Sequence, residues 1–316
     1  MPLKFDYSQI DLPVKDVILK IQKELTDSAT LIVKAPPGAG KSTLLPLALM
    51  NETWLLGKKI LMLEPRRLAA KTIAYRMAAL LGEKVGESIG YRIRFESKIS
   101  IQTKIEVLTE GILTRMIQDD NALEGVGMVI FDEFHERSIH ADVAMALCRE
   151  TQAVLRSDLR ILVMSATIDM PELSKMLKSP IVESLGRQFP VKVNYTGDSD
   201  VRLLPELAAR TIKMAIEKHE GDVLAFLPGQ GEIKKCEELL KKSLKRVRIH
   251  PLYGQLPSNQ QLAAIMPNKE GFRKVVLATN IAETSLTIEG VKVVVDSGFE
   301  RSARFNPGTG LSRLET

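Results

Sequence analysis

The chain has 316 residues, 45% of them hydrophobic and 26% charged, which is ordinary globular composition and room for about two domains of ~150 residues. That balance excludes disorder, collagen and coiled coil, and the net charge of +5 tilts the surface toward polyanions. Cys148 and Cys236 have neither the number nor the spacing of a disulfide framework or a zinc site, which fits a reducing cytosol. Asp6 and Asp11 stand where a signal peptide needs an apolar core, and no uncharged apolar run approaches the ~20 residues of a membrane helix, so a cytoplasmic protein is expected.

In chain order, short apolar runs recur as TLIV (30–33), ILML (60–63), MVIF (128–131) and ILVM (161–164), the pattern of buried parallel strands. Helical spacing fills the intervals, as with Leu68, Ile73, Met77 and Leu80, so the order is that of a doubly wound α/β domain. Gly186 and Pro190 mark a hinge, which divides the chain into residues 1–186 and 187–316. A second series, VLAFL (223–227), VRI (247–249), VVL (275–277) and VKVVV (291–295), predicts a second α/β layer, with the basic run KKSLKRVR (241–248) as a solvated helix end. Nearly every run passes directly into APPGAGKS, EPRR, TEG, DEFH, SAT, PGQG, ATN or DSG. Ligands of open α/β sheets bind outside the carboxyl ends of the strands, so these segments are expected to line one edge of each domain.

The segment from Ala35 to Ser42, between the TLIV strand and a helix-like TLLPLALM, has the context of a phosphate-binding Walker A loop, with Ala35 in place of its first glycine. Pro37, Gly38, Ala39 and Gly40 would wrap backbone N–H groups around phosphate oxygens, followed by Lys41, Ser42 and Thr43. Lys41 would reach the β and γ phosphates of ATP, and the Ser42 hydroxyl would face Mg²⁺. Asp132 and Glu133 follow four consecutive apolar residues, where Asp132 can hold Mg²⁺ through water and Glu133 can orient and deprotonate an attacking water.

The run from Phe131 to Ser138, FDEFHERS, resembles the signature of the DEAH-box RNA helicases of superfamily 2, with Phe134 where that family carries alanine. EPRRLAA (64–70), GYRIRFE (90–96), LTEGILTR (108–115), SAT (165–167), FLPGQGEI (226–233) and ATNIAETSLTI (278–288) resemble further motifs of the family, in its order and over nearly the whole chain. The DEFH variant, the APPGAGKS loop and EPRRLAA resemble a bacterial branch more narrowly.

The resemblance implies two RecA-like P-loop domains with parallel sheets flanked by helices, using ATP and Mg²⁺. It also implies that they act on single-stranded RNA, or on an RNA duplex with a single-stranded tail, with 3′-to-5′ polarity. Arg66, Arg67, Thr109 and Gly111 in the first domain, and Gly229, Thr279 and Asn280 in the second, would contact RNA phosphates, which give affinity without reading sequence. Arg76 would stack on the nucleotide base, with Ile265 where the family places a phenylalanine opposite. Ser165 and Thr167 would couple the metal site to domain movement, and His135 would link Glu133 to the second domain.

The family's arginine-finger motif, QRAGRAGR, does not occur in the 316 residues, so the second domain is expected to be incomplete and turnover slow. The expected function is therefore the motor portion of an ATP-dependent RNA helicase. The alternatives are a nucleotide-gated RNA clamp and a generic P-loop ATPase acting on other partners.

Overall fold

The computed structural model describes residues 5–166, 170–187, 189–197, 200–267, 271–283 and 288–316. The chain divides into two compact units, Met1–Pro190 and Val191–Thr316. In the first, the strands are β1 (Thr30–Lys34), β2 (Lys59–Glu64), β3 (Ile89–Ile93), β4 (Glu96–Lys98), β5 (Ile105–Thr109), β6 (Val126–Phe131), β7 (Arg160–Ser165) and β8 (Ile181–Glu183). They form one sheet in the order β4-β3-β5-β2-β6-β7-β1-β8, parallel except for the β3–β4 hairpin.

The sheet's pleat sends alternate residues to opposite faces, and both faces are covered, which is why the strands read as unbroken apolar runs. Leu31, Val33, Ile60 and Met62 pack with α1 (Ile18–Asp27), α2 (Leu44–Leu49) and α3 (Arg67–Leu81). Ile32, Leu61, Val129 and Phe131 pack with α4 (Glu110–Asp119), α5 (Ile139–Val154) and α6 (Met170–Leu177). Of the residues with helical spacing, Leu68, Ile73 and Met77 are buried and Leu80 partly so. Cys148 lies fully buried in the second of these cores, where desolvation pushes its thiol up to about 12.

Within the second unit, β9 (Asp222–Phe226), β10 (Val247–Leu252), β11 (Arg273–Ala278) and β12 (Val291–Asp296) form a parallel sheet in the order β10-β11-β9-β12. Its core draws Ile212 from α7 (Leu204–Lys218), and Ile233, Cys236 and Leu240 from α8 (Gln230–Ser243). The third helix of this unit, α9 (Ser258–Ile265), ends on the buried Lys274, whose ammonium donates to the Met266 carbonyl at 3.1 Å. After β12 comes an antiparallel hairpin, β13 (Ser302–Asn306) and β14 (Leu311–Glu315), which the apolar runs do not announce because its residues are mostly exposed. Among the described residues no helix is long and apolar enough to cross a membrane.

Candidate active site

Strand order brings the predicted segments of the first unit together. β7 lies between β6 and β1, so its last residue, Ser165, sits between the carboxylates that follow β6 and the glycine loop that follows β1. The loop is tied to this edge by the Ala35 amide donating to the Ser165 carbonyl at 3.1 Å, and Asp132 by its own amide donating to the Leu63 carbonyl at 3.0 Å.

Gly38 and Gly40 have φ of +76° and +92°, which lets the loop reverse direction before α2. Gly40 is also constrained in space, because an added Cβ would lie 2.8 Å from Leu12 Cδ1. The N-terminal segment packs here and bonds to the loop, with the Val14 amide donating to the Ala39 carbonyl at 2.9 Å. On the other side, the chain leaving β8 passes the loop so closely that a Cβ at Gly186 would fall 2.1 Å from Pro36 Cγ. Arg187 is ion-paired with Asp11 at 2.5 Å, fastening the two flanking segments to each other. Pro37 and Gly38 remain exposed, Ala39 is buried, and Ser42 and Thr43 are half-buried.

Lys41 is 3% exposed and its Nζ donates to Glu133 Oε1 at 2.8 Å, a buried ion pair joining loop and carboxylate. Asp132 beside it is 4% exposed. Burial first, and then the adjacent Glu133 charge, push the Asp132 carboxyl up to about 6, against the opposing pull of Lys41 and the Ser42 hydroxyl. Asp132 Oδ1 accepts from the Glu133 amide at 2.9 Å, while Oδ2 and the hydroxyl of Ser165 are buried with no hydrogen-bond partner. Buried polar atoms of this kind are ordinarily satisfied. Their presence at one sheet edge, beside a serine hydroxyl, fits a hard, oxygen-seeking cation. Among the described residues no group of three or more His, Cys, Asp and Glu could hold a metal.

The turn after β6 is held in an uncommon shape. Glu133 and Arg137, neither of them glycine, have φ of +47° and +43°, conformations that cost on the order of 1–3 kcal/mol each and persist only where the surroundings impose them. Phe134, between them, is one part of that surrounding. It is 4% exposed, packs edge-on to Phe131 with ring centroids 6.0 Å apart, and lies under the Arg137 guanidinium at 5.6 Å. The aromatic ring thus drives the turn into the core where the family's alanine would not. Phe134→Ala is expected to destabilise the first unit by about 3 kcal/mol through the cavity it leaves, measured as a lower urea midpoint. An unchanged midpoint would refute the packing role. His135 Nδ1 stands 3.4 Å from Glu133 Oε2 without hydrogen-bond geometry, and is an electrostatic neighbour only.

The predicted RNA contacts fall at element ends. Arg66 precedes α3 and Arg67 opens it; Arg67 is exposed, and Arg66 is ion-paired with Glu136 at 3.4 Å. Thr109 stands at the residue before α4, without a side-chain capping bond, and Gly111 is exposed on its first turn. Arg76 is half-buried on α3. Thr279 precedes a short 3-10 turn that holds the exposed Asn280. Gly229 precedes α8 but is buried, with the Arg301–Glu232 ion pair, 3.3 Å long, packed over it. Ile265 is also buried, 2% exposed, and presents no flat surface. Thr167 and residues 284–287 of ATNIAETSLTI lie outside the described residues. The ties from Arg66 to Glu136, and from Ser138 Oγ to Glu110 Oε2 at 2.5 Å, have no signal in the sequence beyond the charges themselves.

Comparison with known proteins agrees with this geometry. The DEAD/DEAH box helicase family matches residues 17–176, the segment that contains the loop, the carboxylates and the Ser165 edge. The chain belongs to the DEAD/DEAH box helicase family. The helicase conserved C-terminal domain matches residues 205–310, and the two units of this helicase-family chain are RecA-like domains with parallel sheets flanked by helices. ATP-dependent RNA helicase HrpB of Escherichia coli (strain K12) is 50% identical over 308 residues, covering 96% of this chain and 38% of the relative. A crystal structure of the Escherichia coli DEAH/RHA helicase HrpB superposes with a TM-score of 0.85 at 49% identity, covering 96% of this chain and 39% of that one. Another, of the E. coli DExH-box NTPase HrpB, gives 0.72 at 48% identity, covering 96% and 38%. The chain thus spans under two fifths of the length of these relatives.

Proposed function

We propose that these 316 residues act as the motor portion of an ATP-dependent, 3′-to-5′ RNA helicase working in the cytoplasm on single-stranded RNA or on a duplex with a single-stranded tail. The observation that carries the reading is the buried Lys41–Glu133 pair at 2.8 Å. A lysine placed to bind phosphate and a carboxylate placed to activate water here share one buried ion pair at the end of the glycine loop. In this reading the backbone of Pro37 to Gly40, with Thr43, cradles the ATP phosphates, and Lys41 turns from Glu133 to the β and γ phosphates. Glu133, released, accepts the proton of the attacking water, with His135, 3.4 Å from its carboxylate, as its electrostatic neighbour. Ser42 and Asp132 would hold Mg²⁺, which when bound neutralises charge on the phosphate oxygens. Arg76 lies against the base, and Ser165 with Thr167 relays the state of the phosphate edge. Arg66, Arg67, Thr109, Gly111, Thr279 and Asn280 take RNA phosphates; Gly229 joins them only if Arg301 moves aside. The name of the Escherichia coli relative, an ATP-dependent RNA helicase, supports the substrate class.

The 316 residues contain no QRAGRAGR sequence, and where such arginines act on the γ phosphate they contribute roughly 10³ to 10⁵ in rate, so turnover of this chain alone is expected to be slow. The test is ATP turnover of the purified chain with and without single-stranded RNA, alongside RNA binding by fluorescence anisotropy. RNA-stimulated turnover is expected. Background turnover with intact binding of both ligands would mean a nucleotide-gated clamp, and RNA-independent turnover without RNA binding would mean a generic ATPase.

A further inference from the structure

The turn that bears Glu133 is fastened to both segments of the first unit read above as RNA contacts. Arg66 Nε is 3.4 Å from Glu136 Oε2, with both side chains partly buried. Glu110, between Thr109 and Gly111, accepts from Ser138 Oγ at 2.5 Å. Within the turn, the Glu136 amide donates to the Glu133 carbonyl at 2.9 Å, and the Glu133 carboxylate holds Lys41. A continuous chain of contacts therefore runs from Arg66 through Glu136 and Glu133 to the phosphate loop. Its middle is the strained stretch from Glu133 to Arg137, which stays in place only while its surroundings hold it.

An RNA phosphate approaching Arg66 meets a guanidinium that already carries a carboxylate. Two anions on one planar cation repel each other, so the phosphate competes with Glu136. We propose that the Arg66–Glu136 pair is an RNA-sensitive latch: RNA takes Arg66, Glu136 is released, the turn relaxes, and Glu133 gives up Lys41 to incoming nucleotide. This rests on the reading of Lys41 and Glu133 as nucleotide-site residues and of Arg66 as an RNA contact. The coupling is reciprocal, because a ligand that favours the released turn tightens the other ligand by the same factor. Glu136 is in this scheme a positioning residue, touching neither ATP nor RNA.

The test compares the chain with Glu136→Gln and with Asp142→Asn. Gln is isosteric with Glu and sits at a partly exposed site. Asp142 holds the same turn through Arg137 at 2.9 Å, and neither residue is among the RNA contacts read above, so it controls for general loosening. The dissociation constant of a non-hydrolysable ATP analogue with Mg²⁺ is measured with and without a single-stranded oligoribonucleotide, and that of the oligonucleotide with and without the analogue. In the unaltered chain, each ligand is expected to tighten the other roughly five-fold or more. Glu136→Gln is expected to bind both ligands roughly two- to five-fold tighter on its own, the range of a partly exposed ion pair, and to lose most of the mutual effect. Asp142→Asn is expected to match the unaltered chain. If Glu136→Gln keeps the full coupling, or if Asp142→Asn loses as much, the latch is overturned while the nucleotide and RNA sites stand. If the unaltered chain binds no nucleotide or no RNA, the proposed function fails and the latch with it.

Discussion

Glu133→Gln is expected to lower ATP turnover by roughly two to four orders of magnitude, the contribution of a positioned general base, while nucleotide binding persists. The substitution keeps the shape of the side chain, so the φ of +47° at this position and the packing of Phe134 beside it are retained. What is removed is the charge that holds Lys41 at 2.8 Å. With its competitor gone, Lys41 is free for phosphate, and the variant should bind ATP at least as tightly as the unaltered chain. Single-turnover hydrolysis and a fluorescent-nucleotide titration on the same preparation separate the two effects. Turnover equal to that of the unaltered chain would remove Glu133 from the role of base. Loss of binding along with turnover would show that its part is to shape the loop.

Lys41→Ala should have two consequences of different origin. Nucleotide affinity is expected to fall roughly 100-fold, because a charge-assisted bond to the phosphates is lost. Stability is also expected to fall, by about 3 kcal/mol, because the Glu133 carboxyl, only 8% exposed, loses its buried ion-pair partner. The double variant Lys41→Ala with Glu133→Gln should recover most of the stability and none of the affinity. Chemical unfolding of the four proteins in this cycle gives the coupling directly. A single variant as stable as the unaltered chain would mean that water reaches the pair and that the ion pair contributes little.

The first unit's parallel sheet could be read from the sequence because both its faces are covered, whereas in the second unit β12 reads as an apolar run although Val294 is 57% exposed. TLIV, ILML, MVIF and ILVM in the first unit, and VRI, VVL and VKVVV in the second, fall within β1, β2, β6, β7, β10, β11 and β12, and VLAFL overlaps β9 but for Leu227. β4, β8, β13 and β14 escaped as strands at sheet edges or in an exposed hairpin, where apolar character thins out, and β3 and β5 escaped inside the sheet because Gly90, Arg92 and the buried Glu106 interrupt their apolar runs. At the site, the loop and the acidic pair were legible because each closes a buried run with residues that no core would accept. Their mutual state was not. That Lys41 binds Glu133, that Asp132 keeps one oxygen unpartnered, and that Phe134 fixes the turn all depend on contacts between residues distant in sequence or on buried volume. Neither has a periodicity to detect. Burial of Gly229 under Arg301 is of the same kind, created by the segment that follows β12.

Gly186, lying against Pro36, gives the chain a mechanical property that its place in a hinge sequence conceals. A hinge glycine is ordinarily valued for freedom of rotation, yet here the missing side chain serves contact. The strand exit cannot swing toward the phosphate loop without pushing Pro36, and the loop cannot swell without pushing back. Arg187, pinned to Asp11, closes the third side of the same small enclosure. The departing backbone and the glycine loop therefore press directly on each other, and a displacement of one is expected to displace the other.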